Sequence, residues 1–262
     1  MSAPAACAAL FSRDIRGVVR SRSQLYSSIL TPLLILVFLG NGVSHGLKPA
    51  NLPAGDFTAY LVAGIIVMTC VFSSTFSSAS FYKDRDSGLL RMLLLSPFSP
   101  RVILLGKSLA GVFIGAMQGI VVLLVAAPFV DFDWQWGIVP GVLLSIGVIL
   151  LLNIFLAGVA QSLASRISSI QGFHLLMNLV LFPLLFFSGA FFPIDGLPTW
   201  LEVLAYINPL TYAVDALLLA SYATSDVAFI GLPIDLAVLV VLAVTVYALG
   251  FVRLPRLTWS GE

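Results

Sequence analysis

Charge is what this sequence has least of. Only 10% of its 262 residues are Asp, Glu, Lys or Arg, 60% are apolar, and the mean hydropathy is +1.07. That balance excludes a soluble globular domain and fits an all-α integral membrane protein. Catalytic residues are equally scarce. The histidines are His45 and His174, with no Gly-x-Ser-x-Gly elbow to serve, and no His, Cys or acidic pair has metal-ligand spacing. An enzyme is therefore the most remote of the classes considered. Gly106-Lys107-Ser108 has the ending of a phosphate-binding loop, but the glycine that motif needs five residues before its second one is replaced by Arg101. No nucleotide or other cofactor is expected on this chain, and Lys107 reads as an anchor at the membrane boundary. Cys7 and Cys70 fall at different depths and read as free thiols. The net charge of +1 offers no footprint for nucleic acid.

What is present is a run of long apolar segments at 25–43, 58–81, 108–130, 137–163, 172–193 and 231–251, each near the ~17–25 residues that cross a bilayer as helix. Six transmembrane helices are expected, in one transmembrane domain covering 1–262. The first five segments hold no Asp, Glu, Lys or Arg, and Asp235 stands at the rim of the sixth, so the mid-membrane acid or base of an ion-coupled carrier is missing. Of the 13 basic residues, 12 fall in alternate gaps: Arg13, Arg16, Arg20 and Arg22; Lys83, Arg85, Arg91, Arg101 and Lys107; Arg166; Arg253 and Arg256. Only Lys48 lies on the other side. Basic residues in short loops stay cytoplasmic, which places both termini and the gaps around 82–107 and 166 inside. The first apolar segment begins only after residue 24, so the chain reads as inserted by its first span rather than by a cleaved leader.

Three polar stretches carry organisation. Residues 1–24 read as an amphipathic helix lying in the inner interface, with Phe11, Ile15, Val18 and Val19 on one side and Arg13, Arg16 and Arg20 on the other. It suits a cytoplasmic partner or anionic lipid, or simply anchors the first span. In 82–107, Asp86-Ser87-Gly88 precedes the leucine-rich run Leu89 to Leu95, which stops at Ser96-Pro97. This reads as a short helix whose apolar side seeks a protein partner or the lipid interface. The outer stretch 194–230 reads as a re-entrant helical hairpin. Thr199 and Glu202 form a capping box for a helix ending near Ile207, and Asn208-Pro209 opens a second helix to about Tyr222. Gly111, Gly115 and Gly119, and then Gly137, Gly141 and Ser145, form small-residue stripes that favour close packing within the subunit.

Residues 178–217 resemble the carboxy-terminal signature of the type-2 ATP-binding-cassette (ABC) exporter permeases in Pro183, Ser188-Gly189, Phe192-Pro193, Leu197-Pro198 and Asn208-Pro209. The inner loop is similar to that family's coupling region at Asp86, Gly88, Pro97, Gly106 and Lys107, with Asp86 where the family often has Glu. The nearest branch is that of drug- and antibiotic-resistance permeases of the daunorubicin-exporter kind. The resemblance implies a multi-pass permease half in a bacterial cytoplasmic (inner) membrane that pairs with a second, identical or different, permease subunit. It also implies two copies of a separate cytoplasmic ATPase, which bind the ATP and Mg, and export of a lipophilic or lipid-linked substrate. In that frame Asp86, Gly88, Leu89, Leu90, Arg91 and Leu93 are the expected ATPase contact. Asn178, Phe182 and Phe186 on the fifth span, with Asn208 and Asp215 in the hairpin, are the expected outer gate of the substrate path. An ion-coupled secondary carrier or a channel is the alternative reading.

Overall fold

The structure, a computed structural model, describes residues 3–21, 26, 30–40, 57–95, 99–130, 132–134, 136–164, 166–167, 169–194, 197–222 and 229–252. These form helices α1 (Ala3–Arg20), α2 (Leu30–Gly40), α3 (Phe57–Asp86), α4 (Leu89–Leu94), α5 (Pro100–Ala126), α6 (Ile138–Ala164), α7 (Ile170–Phe186), α8 (Thr199–Ile207), α9 (Pro209–Ser221) and α10 (Leu232–Val252). Among the described residues the extended structure is one isolated bridge, Asp133 to Tyr222. Backbone groups in hydrocarbon must be satisfied within the segment, which is why β-branched and glycine-bearing runs here are helical.

Four helices, α3, α5, α6 and α10, are long and apolar enough to cross a membrane, and a fifth span exists if the bent pair α8–α9 is one. The other expected spans, at 25–43 and 172–193, are represented by the shorter apolar helices α2 and α7; part of the first lies outside the described residues. α3 and α5 outrun their apolar segments. A 27-residue helix such as α5 rises about 40 Å, more than the ~30 Å of hydrocarbon. Hence α3 continues to Asp86 and α5 already begins at Pro100, so the expected loop 82–107 is mostly helix.

α3, α5 and α6 pack on one another as the centre. α1 lies along α5, α7 on α3, and α9 and α10 on α6. The apolar window of α3 is 83% buried and that of α10 only 17%, so α3 is the core and α10 the periphery. Lipid is as apolar as leucine, so close approach and hydrogen bonds, rather than area, hold such a bundle. The small residues supply that approach. A Cβ on Gly115 would meet Asn153 Oδ1 at 1.9 Å, one on Gly119 would meet Ile149 at 3.0 Å, and one on Gly141 would meet the Trp134 ring at 2.2 Å. Gly115, Gly119 and Gly141 therefore serve packing inside the chain, whereas Gly137, with φ +91° just before α6, has no neighbour within 4 Å and serves the turn.

The hairpin is built from local caps. Asn208 accepts from the Leu210 N–H at 3.0 Å and also donates to the Leu184 carbonyl; Thr211 donates to Ala205 O at 2.7 Å. α8 and α9 meet at 86°. The expected capping box does not form: Pro198 occupies the cap position and makes no side-chain bond, since Thr199 is already the first helical residue.

Candidate functional site

One end of the bundle gathers the charge. Asp84 in the last turn of α3, Lys107 in the second turn of α5, and Arg13 and Asp14 on α1 form a single knot. Lys107 Nζ lies 2.5 Å from Asp84 Oδ2, 3.3 Å from Asp14 Oδ2 and 3.4 Å from Ser80 Oγ, with its side chain only 2% exposed. Arg13 reaches Asp14 Oδ1 at 2.7 Å and also bonds Asp84. Burial alone would lower the Arg13 pKa, but hydrogen bonds and charge from Asp14 and Asp84 outweigh it and raise the value. Arg85 adds a bond to the Ile167 carbonyl at 3.3 Å, tying the end of α3 to the α6–α7 turn.

This knot corrects one expectation. Lys107 is not a free interfacial anchor but a buried cation between two carboxylates. On α1, Ala6, Leu10 and Asp14 are buried, while Phe11, Ile15 and Val18 of the expected apolar side are half-buried, Phe11 meeting Phe113 of α5 edge to face at 5.7 Å, and Val19 is exposed. The Asp14–Lys107 pair turns the helix that way. At Gly106 an added Cβ would sit 3.2 Å from the Cys7 carbonyl, so the missing side chain admits α1. Ser108 bonds the Tyr247 hydroxyl of α10. Each residue of Gly106-Lys107-Ser108 thus fixes a helix neighbour.

Beside the knot, α3 ends in a turn at Ser87-Gly88. Gly88 has φ +75°, a left-handed conformation that favours glycine, and it reverses the chain into α4. Asp86, Ser87 and Gly88 are exposed, Leu89 and Leu93 are half-buried, and the side chains of Leu90 and Arg91 lie outside the described residues. Among the described residues, Met92 of α4 is 66% exposed and Leu95, just after it, 80%. Of the expected anchors, Leu89 and Leu93 keep part of their surface open to a partner.

A second feature is a shallow groove between α3 and α7, lined by Val71, Phe72, Thr75, Asn178, Leu181, Phe182 and Leu185, with a cavity volume of only about 10 Å³. Phe72 and Phe182 meet edge to face at 5.6 Å. Asn178 and Phe182 come together here, and Phe186 follows one turn on, stacked near Phe191 at 5.2 Å. Asn208 and Asp215 are elsewhere, both buried, Asn208 capping α9 and Asp215 binding the backbone before α10. Above the groove, Ser188 donates to Leu185 O at 2.7 Å, Gly189 has φ +77° and accepts from Tyr60, and a Cβ on Gly64 would meet the Ala190 carbonyl at 1.9 Å. The Ser-Gly step thereby seats the end of α7 on α3.

The family model described as ABC-2 type transporter matches residues 5–222. The chain belongs to the ABC-2 type transporter family. Within it, the chain is similar to the inner membrane transport permease YadH of Escherichia coli K12, 26% identical over 241 residues that cover 91% of this chain and 90% of that one. It is also similar to ycf38 of Cyanophora paradoxa, 30% identical over 196 residues, 73% of this chain and 65% of that protein's length. Nodulation protein J of Neorhizobium galegae is 23% identical over 195 residues, 74% and 72% of the two chains. The signal for the knot of this ABC-2 chain was present but faint: Asp14 is the one acid in a four-arginine tail, and Lys107 abuts a glycine.

Proposed function

We propose that this chain is the permease subunit of an ABC exporter. It has six spans, both termini on the cytoplasmic side of a bacterial inner membrane, a second permease subunit beside it, and two copies of a separate cytoplasmic ATPase below. The observation that carries the reading is the charged end. There α4 presents Met92 and Leu95 outward on a stem fixed by the Arg13–Asp14–Asp84–Lys107 knot. An apolar patch too short to span, rimmed by charge and rigidly mounted, suits a protein partner in which such residues become buried anchors. Family membership supports the ATPase as that partner.

The substrate is a hydrophobic or amphiphilic molecule: a drug or antibiotic, a lipid or a lipid-linked compound. The face of α7 with Leu175, Asn178, Leu179, Phe182 and Phe186 is exposed in the single chain and almost wholly apolar. Desolvating an ion along it would cost several kcal/mol per charge, whereas an amphiphile loses little. A second permease subunit facing the α3–α7 groove would close the path.

Purification from native membranes tests this reading. The expected result is recovery of an ABC ATPase with the chain, and nucleotide-dependent movement of a lipophilic dye in vesicles. Movement of a small hydrophilic ion without any ATPase, and no effect on dyes or lipids, would favour the carrier or channel instead.

A further inference from the structure

The end of the bundle away from the knot holds two buried carboxyls in contrasting surroundings. Asp215, on α9, is fully buried and accepts three backbone N–H bonds from the turn that leads into α10: Phe229 at 2.8 Å, Ile230 at 2.9 Å and Gly231 at 3.1 Å. Three such donors satisfy the acceptor oxygens of that side chain. Asp235, in the first turn of α10, is also fully buried, yet neither of its oxygens has a donor. The group it faces is the Asp215 carboxylate, itself an acceptor.

Among the described residues, the helices packed around the pair supply no compensating charge. α6, α9 and α10 contain no Lys, Arg or His, and α6 has no ionisable side chain at all. The other titratable group on α9, Tyr212, gives its hydroxyl to the Tyr206 carbonyl at 2.8 Å, and Tyr222, after its last turn, packs on Phe132. Tyr247 of α10 bonds Ser108 near the charged end. Among the described residues no group of three or more His, Cys, Asp or Glu forms a cation cage. Two adjacent carboxylates without a counter-charge repel each other and leave acceptors unmet in a low dielectric. A single proton removes both faults.

We propose that Asp235 is a proton-binding site, a neutral carboxylic acid whose O–H donates to the Asp215 carboxylate and so locks α9 to the first turn of α10. The proton comes from water and returns to it, so the joint between the hairpin and the last span loosens when the surrounding pH rises far enough to remove it.

Purified chain in nanodiscs tests the site by two readouts. In infrared difference spectra at neutral pH, wild type should show the carbonyl stretch of a protonated carboxylic acid, and Asp235→Asn should lack it. In thermal unfolding, Asp235→Asn, which donates the same bond without titrating, should match wild type in acid and exceed it by about 3 °C or more as pH rises. Should Asp235→Asn not fold, Asp235→Glu, which keeps the acid, should shift the band rather than abolish it. Absence of the band in wild type overturns the proposal, as does an Asp235→Asn offset that is the same at every pH. Stabilisation by sodium but not by choline, at fixed pH and ionic strength, would also overturn it and make the occupant a metal cation.

Discussion

The two ends of this bundle solve the same problem by opposite means. At the charged end, polar groups from helices far apart in sequence neutralise one another side chain to side chain; Asp14 and Lys107 are 93 residues apart. At the other end, polar side chains turn to nearby backbone: Asn208 to Leu210, Thr211 to Ala205, and Asp215 to the turn at 229–231. The first arrangement cross-links α1, α3 and α5 into one body beneath α4. The second turns side chains to the backbone of their own and neighbouring helices.

The sharpest way to break this contrast is at Lys107. Lys107→Met leaves Asp84 buried with one cation fewer and should destabilise the chain by about 3–5 kcal/mol, read as a loss of unfolding midpoint in detergent. Adding Asp84→Asn should recover part of that loss, because the orphaned carboxylate is gone. Recovery of nothing would mean that packing rather than charge holds the knot. At the opposite end, Gly64→Val drives a side chain into the Ala190 carbonyl, backbone that cannot swing aside, and should cost about 1–3 kcal/mol in the same assay. Asn208→Ala removes the cap of α9 and the bond to Leu184, with an expected cost of about 1–2 kcal/mol that no distant substitution rescues. The smallest effect belongs to Arg13→Gln. Its side chain is 34% exposed and water screens the pair, so less than about 1 kcal/mol is expected. A larger loss there than at Lys107 would invert the ranking within the knot.

The same contrast explains what the sequence disclosed. Asn208-Pro209 is a contact between neighbours, and the end of α8 at Ile207 and the start of α9 were both legible from it. Gly115, Gly119 and Gly141 were legible as packing because their stripes have the spacing of a helix face. The knot was not, since pairing Asp14 with Lys107 needs the third dimension. Capping chemistry also misled at Thr199, where Pro198 fixes the helix entry one residue earlier. That Met92 and Leu95 are exposed was not legible from the leucine-rich run, because it depends on how α4 sits against α3.

The central claim is that the charged end is where an ATPase docks and drives transport. Met92→Ser combined with Leu95→Ser removes the outward apolar groups of α4 without touching the knot, so the unfolding midpoint should stay within about 1–2 °C of wild type. In vesicles containing the permease and its ATPase, substrate-stimulated ATP hydrolysis should fall at least about tenfold, the equivalent of losing ~1.4 kcal/mol of contact, and export should fall with it. Wild-type hydrolysis and export in that variant would contradict the account.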